Sequence, residues 1–440
     1  MTLYFFYRTA LFYVLEHAYL FWRLRPLWKD RPRLRIVCPL WFFCMGLFPL
    51  IFLWLPADGT AQRVFARVGG PWQSFAYFCL MAMLFLDVLR VGAWLWRRLF
   101  PGRASRTEAE AGSAAEAAAE AGSAAEAAAE AGRTAEAGSA AETARQPGHL
   151  SFLTAGLPSG LRRLALVLIV LGAAFYAYGL YEARDIRLIR LEIATAKLPA
   201  GRDSLRLAFA ADLHVSPRLG GDSLTRVVDM ILAQKPDCIL LGGDILDDAL
   251  QGTPADFQEL GRLRAPLGTF AVLGNHEAFG DAAIPAERLR RAGLTLLAGQ
   301  EATAGPLTVI GLDDPQVSAQ KGRFTNALTP LLRRADPGRF TIVLDHRPLL
   351  RPKSVGRFDL QLSGHTHGGQ VFVLAPLMQA QYGVPVGLSS HRSGAGQSRL
   401  FVTTGVGFSK LPIRLFVPPE VVIIDLVRKK QGAPAGADYF

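Results

Sequence analysis

The sequence predicts a mixed α/β domain with two sheets, carried behind an α-helical membrane region. Three observations predict it. Uncharged apolar runs crowd the first 100 positions and recur at 164–181; an Ala/Glu/Gly tract follows the first group; and from 193 to 430 short aliphatic runs alternate with amphipathic stretches. With 440 residues, 50% of them hydrophobic, the chain is long enough for two or three domains and more apolar than most soluble proteins. The four cysteines, Cys38, Cys44, Cys79 and Cys238, all lie in apolar runs, so neither a disulfide framework nor a thiolate metal site is expected.

Each membrane element is judged against a bilayer, which needs roughly 20 residues of helix to cross. Ile36 to Leu55 meets that length without a charge, and Leu164 to Tyr181 is slightly shorter and equally uncharged. Pro71 to Trp96 is long enough but carries Asp87 and Arg90, three apart on one helix face, where an intrahelical pair turned toward neighbouring helices is expected. Leu3 to Trp22 is interrupted by Arg8, Glu16 and His17; it lacks a signal-peptide pattern and reads as a membrane helix. Residues 1–100 are thus expected to hold three transmembrane helices, and 161–183 a fourth. Arg23 to Arg35 carries six basic residues, whereas Pro56 to Gly70 carries only Arg63 and Arg67. The positive-inside rule then puts that first loop in the cytoplasm and everything after Tyr181 on the outer face of the plasma membrane, against the pull of Arg184, Arg187 and Arg190.

Residues 101–160 form a low-complexity linker in which "EAGSAAEAAA", Glu110 to Ala119, repeats at Glu120 to Ala129 and then decays. Ala and Glu favour helix, but a glycine in each period costs about 1 kcal/mol and no apolar stripe exists to be buried, so a solvated acidic spacer is expected.

The α/β domain, 193–430, opens with βαβαβ grammar: "LRLAFAADLH", "SLTRVVDMILAQ", "DCILLGGDIL", a helix-like Asp256 to Leu263, then "GTFAVLGNHE". The later runs "LTVIGLDD", "RFTIVLDH", "DLQLSGHTH", "RLFVTTGVG" and "EVVIIDLV" have less helix between them and suggest a second sheet. In open α/β sheets the functional residues collect beyond the carboxyl ends of strands. Here five strands end in Asp212 and His214, in Asp244, in Asn275 and His276, in His346, and in His365 and His367, which takes five of the eight histidines. One histidine at a strand end is ordinarily a hydrogen-bonded core residue. Five, interleaved with two aspartates and an asparagine, point to metal.

Imidazole and carboxylate without thiolate suit Mn, Fe or Zn, and one ion needs about four to six donors. Asp212, His214, Asp244, Asn275, His346, His365 and His367 offer seven, which fits two ions sharing one carboxylate. In an extended chain side chains at i and i+2 face one way, so the pairs in "DLH" and "HTH" are expected to project together, the two "HTH" histidines dividing between the ions.

In this order and spacing, "ADLH", "GGD", "GNHE", "LDH" and "SGHTHGGQ" resemble the five-block signature of the calcineurin-like metallophosphoesterases, over roughly Arg206 to Leu426. The tail "RLFVTTGVGFSKLPIRLFVPPEVVIIDL" is similar to a membrane-anchored bacterial branch, some of whose relatives act on the UDP-diacylglucosamine precursor of lipid A. The resemblance implies a four-layer α/β/β/α sandwich and a metal-dependent hydrolase of a phosphomonoester, phosphodiester or pyrophosphate bond. It implies that Asp212, His214, Asp244 and His367 hold one ion, that Asp244, Asn275, His346 and His365 hold the other, and that His276 is the catalytic histidine that is not a ligand. Tethering favours a lipid-linked or cell-envelope substrate.

Glu277 could orient His276 or be an ordinary surface carboxylate. Arg347, directly after a candidate ligand, could reach a substrate phosphate, but a surface ion pair is the expectation; His391 and Arg392 lie in a Gly/Ser-rich stretch that could form a lid, which the sequence leaves open. The net charge of +11 is shared between membrane loops and domain, +7 before residue 201 and +4 after it, and no DNA-reading module is evident, so nucleic acid is not expected as a partner. A non-catalytic membrane scaffold or receptor on the same fold is the alternative, and a nuclease of the same metal architecture a weaker one.

Overall fold

The structure is a computed structural model, described over residues 2–25, 32–47, 60–99, 159–216, 221–247, 252–322, 328–409 and 411–429. The chain divides into two compact units, one of residues 1–50 and 75–173, the other of residues 51–74 and 174–440. The Ala/Glu/Gly tract and residues 48–55 of the second apolar run lie outside the described residues.

The first unit holds α1 (Thr2–Leu24), α2 (Leu34–Gly46) and most of α3 (Thr60–Leu99), with the start of α4 (Ser159–Glu182). Among the described residues one helix, Phe75–Trp96 within α3, is long and apolar enough to cross a membrane; Leu34–Gly46 and Leu166–Glu182 are apolar but shorter. Asp87 does pair with Arg90, at 2.6 Å, and it also accepts hydrogen bonds from Tyr19 at 2.6 Å and Arg23 at 2.7 Å of α1. The pair is therefore part of an interhelical clasp that gives a charge among apolar helices its countercharge.

The second unit is the α/β domain. Its chain order is β1 (Arg187–Thr195), β2 (Ser204–Ala210), α5 (Asp222–Ala233), β3 (Cys238–Leu241), α6 (Pro254–Leu260), β4 (Thr269–Ala271), α7 (Ala283–Arg291) and β5 (Thr295–Leu296). There follow β6 (Gln300–Ala304), β7 (Leu307–Gly311), α8 (Pro315–Gln320), α9 (Leu328–Arg334), β8 (Phe340–Leu344), β9 (Leu360–Ser363), α10 (Ala375–Tyr382), β10 (Gly387–Ser393), β11 (Gly396–Val402) and β12 (Glu420–Arg428). Two six-stranded sheets result, ordered β1-β12-β2-β3-β4-β5 and β10-β11-β9-β8-β7-β6. β2 to β5 run parallel, as do β7, β8, β9 and β11, while β12 returns antiparallel to β2.

Side-chain alternation builds the layers. In β2 and β3, Leu207, Phe209, Cys238 and Leu240 point into a core shared with Phe340, Ile342, Leu344, Leu360 and Leu362 of the other sheet. Their neighbours Ala208, Ala210, Ile239 and Leu241 face the opposite way, onto Leu224, Val227, Val228 and Ile231 of α5. Val343 and Ile310 turn outward beneath Leu328, Leu331 and Leu332 of α9. A period of two therefore serves two cores from each strand, and the four layers are α/β/β/α as expected.

Candidate metal centre

The polar residues at the strand ends converge where the carboxyl edges of the two sheets meet. Asp212 and His214 follow β2, Asp244 follows β3, Asn275 and His276 follow β4, His346 follows β8, and His365 and His367 follow β9. Parallel pairing continues past the strands: the Asp212 amide donates to the Gly243 carbonyl at 2.9 Å, His214 to Asp244 at 3.0 Å and Gly364 to His346 at 2.9 Å. These bonds bring loops far apart in sequence to one place.

The backbone then departs from the extended course expected of "DLH" and "HTH". Asp212, His214, Asp244, His365 and His367 have φ of 55°, 47°, 47°, 70° and 49°, and they are five of the eight described non-glycine residues with positive φ. The paired side chains still converge, but left-handed kinks aim them. Such conformations cost about 1–3 kcal/mol each and persist only where surrounding contacts over-determine them. One such contact is the amide of His365, which donates to both carboxylate oxygens of Asp212 at 3.0 Å. Gly364 leaves the room this requires, because a Cβ there would lie 2.2 Å from Asp212 Oδ2.

Two groups of candidate ligands form. Asp212, His214 and His367 bring one ligand atom each within 4.8 Å of one another, and so do Asp244, His346 and His365. The two "HTH" histidines thus divide as expected. Asp244 links its own group to the other, with Oδ2 3.2 Å from His346 Nε2 and 3.9 Å from His214 Nε2, and Asn275 Oδ1 is 3.3 Å from His346 Nε2. All seven candidate ligands are thereby gathered at one centre.

The imidazoles are held with one nitrogen presented inward. His346 Nδ1 donates to the Gly242 carbonyl at 2.9 Å and His214 Nδ1 to Asp247 Oδ1 at 3.1 Å, which turns each Nε2 toward the cluster. His214 Nε2 and His367 Nε2 face each other at 3.0 Å. Two imidazole lone pairs at that separation suit a shared cation, and the all-nitrogen-and-oxygen donor set suits a divalent one, so the residues fit the ions implied by the sequence.

Electrostatics divide the histidines. Burial opposes protonation of His346, but Asp244, then Asp212, push it up to about 10, so in the metal-free chain it carries positive charge within the cluster and must lose a proton to ligate. Burial, with His346 and Arg347 nearby, pushes His365 down to about 3, and burial with His214 and Arg414 nearby holds His367 well below the usual imidazole range. Both are therefore neutral, the ligating form. Burial works against ionisation of Asp244, but His346, then His214, hold its carboxyl below the ordinary range.

His276 makes a third group, with His214 and Asp247, and its ring is 4.5 Å from that of His214. Its amide donates to Asp244 Oδ1 at 2.9 Å and its Nδ1 to the Asp247 carbonyl at 2.8 Å, with Asp247 Oδ1 3.3 Å away. Burial opposes protonation, yet the Asp247 and Asp244 carboxylates push His276 up to about 9. Asp247 was not singled out from the sequence, although the spacing "GDILD" carries it; it touches both His214 and His276.

Glu277 does not orient His276. It is fully buried and accepts backbone hydrogen bonds from Gly274 at 2.7 Å, Leu246 at 2.8 Å and Asp244 at 3.2 Å, tying the loops after β3 and β4 together. Burial, with Asp244 close by, pushes it up to about 7. Arg347 makes the expected ion pair, though not at the surface: it is half-buried and binds both oxygens of the buried Asp314, at 2.6 and 3.3 Å. His391 and Arg392 lie on β10, where Ser389 Oγ is 2.9 Å from His391 Nε2.

Arg414 is a further residue that the sequence reading passed over. It is fully buried and donates to the carbonyls of Thr404 at 2.7 Å, Gly405 at 3.2 Å and Gly407, and its Nη2 lies 3.3 Å from His367 Nδ1. Its amide in turn donates to Gly179 of α4 at 2.9 Å. A cation thus braces the loop behind one candidate ligand.

Residues 205–369 match the model of the calcineurin-like phosphoesterase family. A protein of Aquifex aeolicus described as an uncharacterized metallophosphoesterase is 32% identical over 256 residues, which is 58% of this chain and 96% of that protein. An uncharacterized metallophosphoesterase of Helicobacter pylori is 28% identical over 52% of this chain and 61% of its own length. A transmembrane protein with metallophosphoesterase domain from Danio rerio is 27% identical over 61% of this chain and 64% of its own. The chain spans under two thirds of the last two relatives. It belongs to the calcineurin-like metallophosphoesterase family, which has bacterial and eukaryotic members.

Proposed function

We propose that this chain is a membrane-anchored phosphoesterase using two divalent ions, Mn, Fe or Zn, to hydrolyse a phosphomonoester, phosphodiester or pyrophosphate bond of a lipid-linked or cell-envelope substrate. The observation that carries the reading is the convergence of seven donors: the group Asp212, His214 and His367, the group Asp244, His346 and His365, and Asn275 beside His346, with Asp244 reaching toward His214 as well. Asp212, His214, Asp244 and His367 would hold one ion, and Asp244, Asn275, His346 and His365 the other. When bound, such a pair supplies charge neutralisation at a phosphoryl group and an acidified water.

The chain's own residues supply the rest. His276, held through Nδ1 by the Asp247 carbonyl, keeps Nε2 available to protonate the departing oxygen. Glu277 fixes the amides on which Asp244 and His276 are positioned. Arg347, pinned by Asp314 next to His346, is a fixed positive charge at the rim for a substrate oxyanion.

The anchoring part of the reading is supported by Phe75–Trp96, by the shorter apolar helices of α2 and α4 and by relatives described as transmembrane proteins. In this reading three helices lie within residues 1–100, the linker spans 101–160, a fourth helix spans 161–183, and the catalytic domain at 193–430 faces outward from the plasma membrane, with no nucleic-acid partner. Full-length chain given Mn²⁺ and bis-nitrophenyl phosphate tests the chemistry. Nitrophenolate release that chelator abolishes and metal restores is expected, and no release across Mn²⁺, Fe²⁺ and Zn²⁺ would leave the scaffold alternative.

A further inference from the structure

The segment following the last two candidate ligands has an unusual surface. From Gly368 to Ser390 the chain has no Asp, Glu, Lys or Arg. Yet no residue of α10 is buried, and Phe372, Val373, Leu374, Leu377 and Val386 are all exposed, Val373 and Leu377 to about 60%. Phe416 joins them, exposed and held at φ 55°, a conformation that L side chains avoid. Contiguous exposed apolar side chains of this kind mark a contact surface.

What covers that surface follows from what it is continuous with. The Phe416 ring lies 5.4 Å from Phe372 on one side, and 5.4 Å from Tyr178 and 6.2 Å from Phe175 of α4 on the other. The helix is seated closely there, since a Cβ on Gly179 would come within 3.1 Å of the Arg414 carbonyl, and Glu182 of α4 accepts from the Val417 amide at 3.3 Å. On the part of α4 that belongs to this unit Phe175 and Tyr181 are themselves exposed, and no charge interrupts Leu164 to Tyr181 in the sequence. At its other end the segment reaches the metal centre, where the Tyr382 ring is 5.6 Å from that of His365. One uncharged surface thus leads from a lipid-suited helix to the mouth of the site.

We propose that Phe372–Val386 and Phe416 rest in the headgroup layer of the bilayer entered by α4, so that the metal centre meets phosphoesters carried by amphiphiles in that layer. Burial about 5–10 Å into the headgroup and acyl boundary is the depth at which apolar faces edged by Tyr and Phe settle. The phosphoester part rests on the chemistry proposed above, and the docking rests on the anchoring by α4 proposed with it.

The test places a single cysteine at Leu374 or Leu377, or at Glu287 of α7 as an exposed control, in a full-length chain whose four native cysteines are alanine. Each variant is labelled with an environment-sensitive fluorophore, accepted only if it melts as the parent does, and reconstituted into phosphatidylcholine and phosphatidylglycerol vesicles with spin-labelled lipid. Blue-shifted emission quenched by the lipid at 374 and 377, but not at 287, is the expected result. Labels at 374 and 377 as water-exposed as at 287, or shielded by self-association without lipid quenching, would overturn the docking. Hydrolysis of bis-nitrophenyl phosphate in the same vesicles is read separately. Lipid quenching without hydrolysis would sink the phosphoesterase reading alone, and hydrolysis without quenching the docking alone.

Discussion

Among single residues, Asp247 couples one candidate ligand to the candidate acid, since its carboxylate meets His214 and its carbonyl fixes His276. His276→Ala is expected to keep metal but lose about 10²- to 10⁴-fold in turnover on an ester with a poor leaving group, and much less on nitrophenyl esters. Asp247→Asn is expected to weaken metal loading about 10- to 100-fold as well, because it also frees His214. Paired kinetics and metal titrations check both, and equal losses on both esters would count against the acid role. Gly364→Ala should cost about 1–3 kcal/mol of stability by driving a methyl group into Asp212, read as a lower melting temperature together with lost metal. At this scale the sequence was legible where chemistry demands rare residue types: five histidines and two aspartates at strand ends announce themselves. Asp247 and Arg414 did not, because a carboxylate one turn past a motif and an arginine in an apolar tail have no distinguishing pattern until the fold closes around them.

Among elements, the strands were readable from alternation, because each feeds two cores and so repeats with period two. Their order was less readable. β12 pairs parallel with β1 and antiparallel with β2, across more than 200 residues of sequence, and local pattern says nothing about such distant pairing. The "DLH" and "HTH" segments were read as extended and are instead kinked left-handed, a geometry set by contacts such as that of Asp212 with the His365 amide. The loop after β11 depends on Arg414 in the same way. Arg414→Met leaves the Thr404, Gly405 and Gly407 carbonyls without their donor, at about 1–3 kcal/mol for each acceptor left unpaired. At roughly 2–4 °C per kcal/mol for a domain of this size, a melting temperature lower by about 6 °C or more is expected. Arg414→Lys should restore little of it, since an ammonium lacks the planar fork that reaches several carbonyls at once. An unchanged melt in Arg414→Met would show that the loop is braced by other contacts.

For the whole molecule, composition separated an apolar amino-terminal part from an α/β domain, and the two compact units follow that division in outline, with residues 51–74 grouped with the domain. The membrane region is less fully described: residues 48–55 of the second apolar run lie outside the described residues, and among those described one helix is both long and apolar enough to cross a membrane. Strained backbone, buried carboxylates and facing imidazoles are concentrated at one place, and a pair of divalent cations would offset all three. Elemental analysis of the purified full-length chain, loaded with Mn²⁺ or Zn²⁺ and freed of excess, tests that most directly. Two ions per chain are expected, with both sites depleted in Asp244→Asn, the residue proposed to serve both. A chain that takes up no ion, or an Asp244→Asn variant that loads as fully as the parent, would contradict the account.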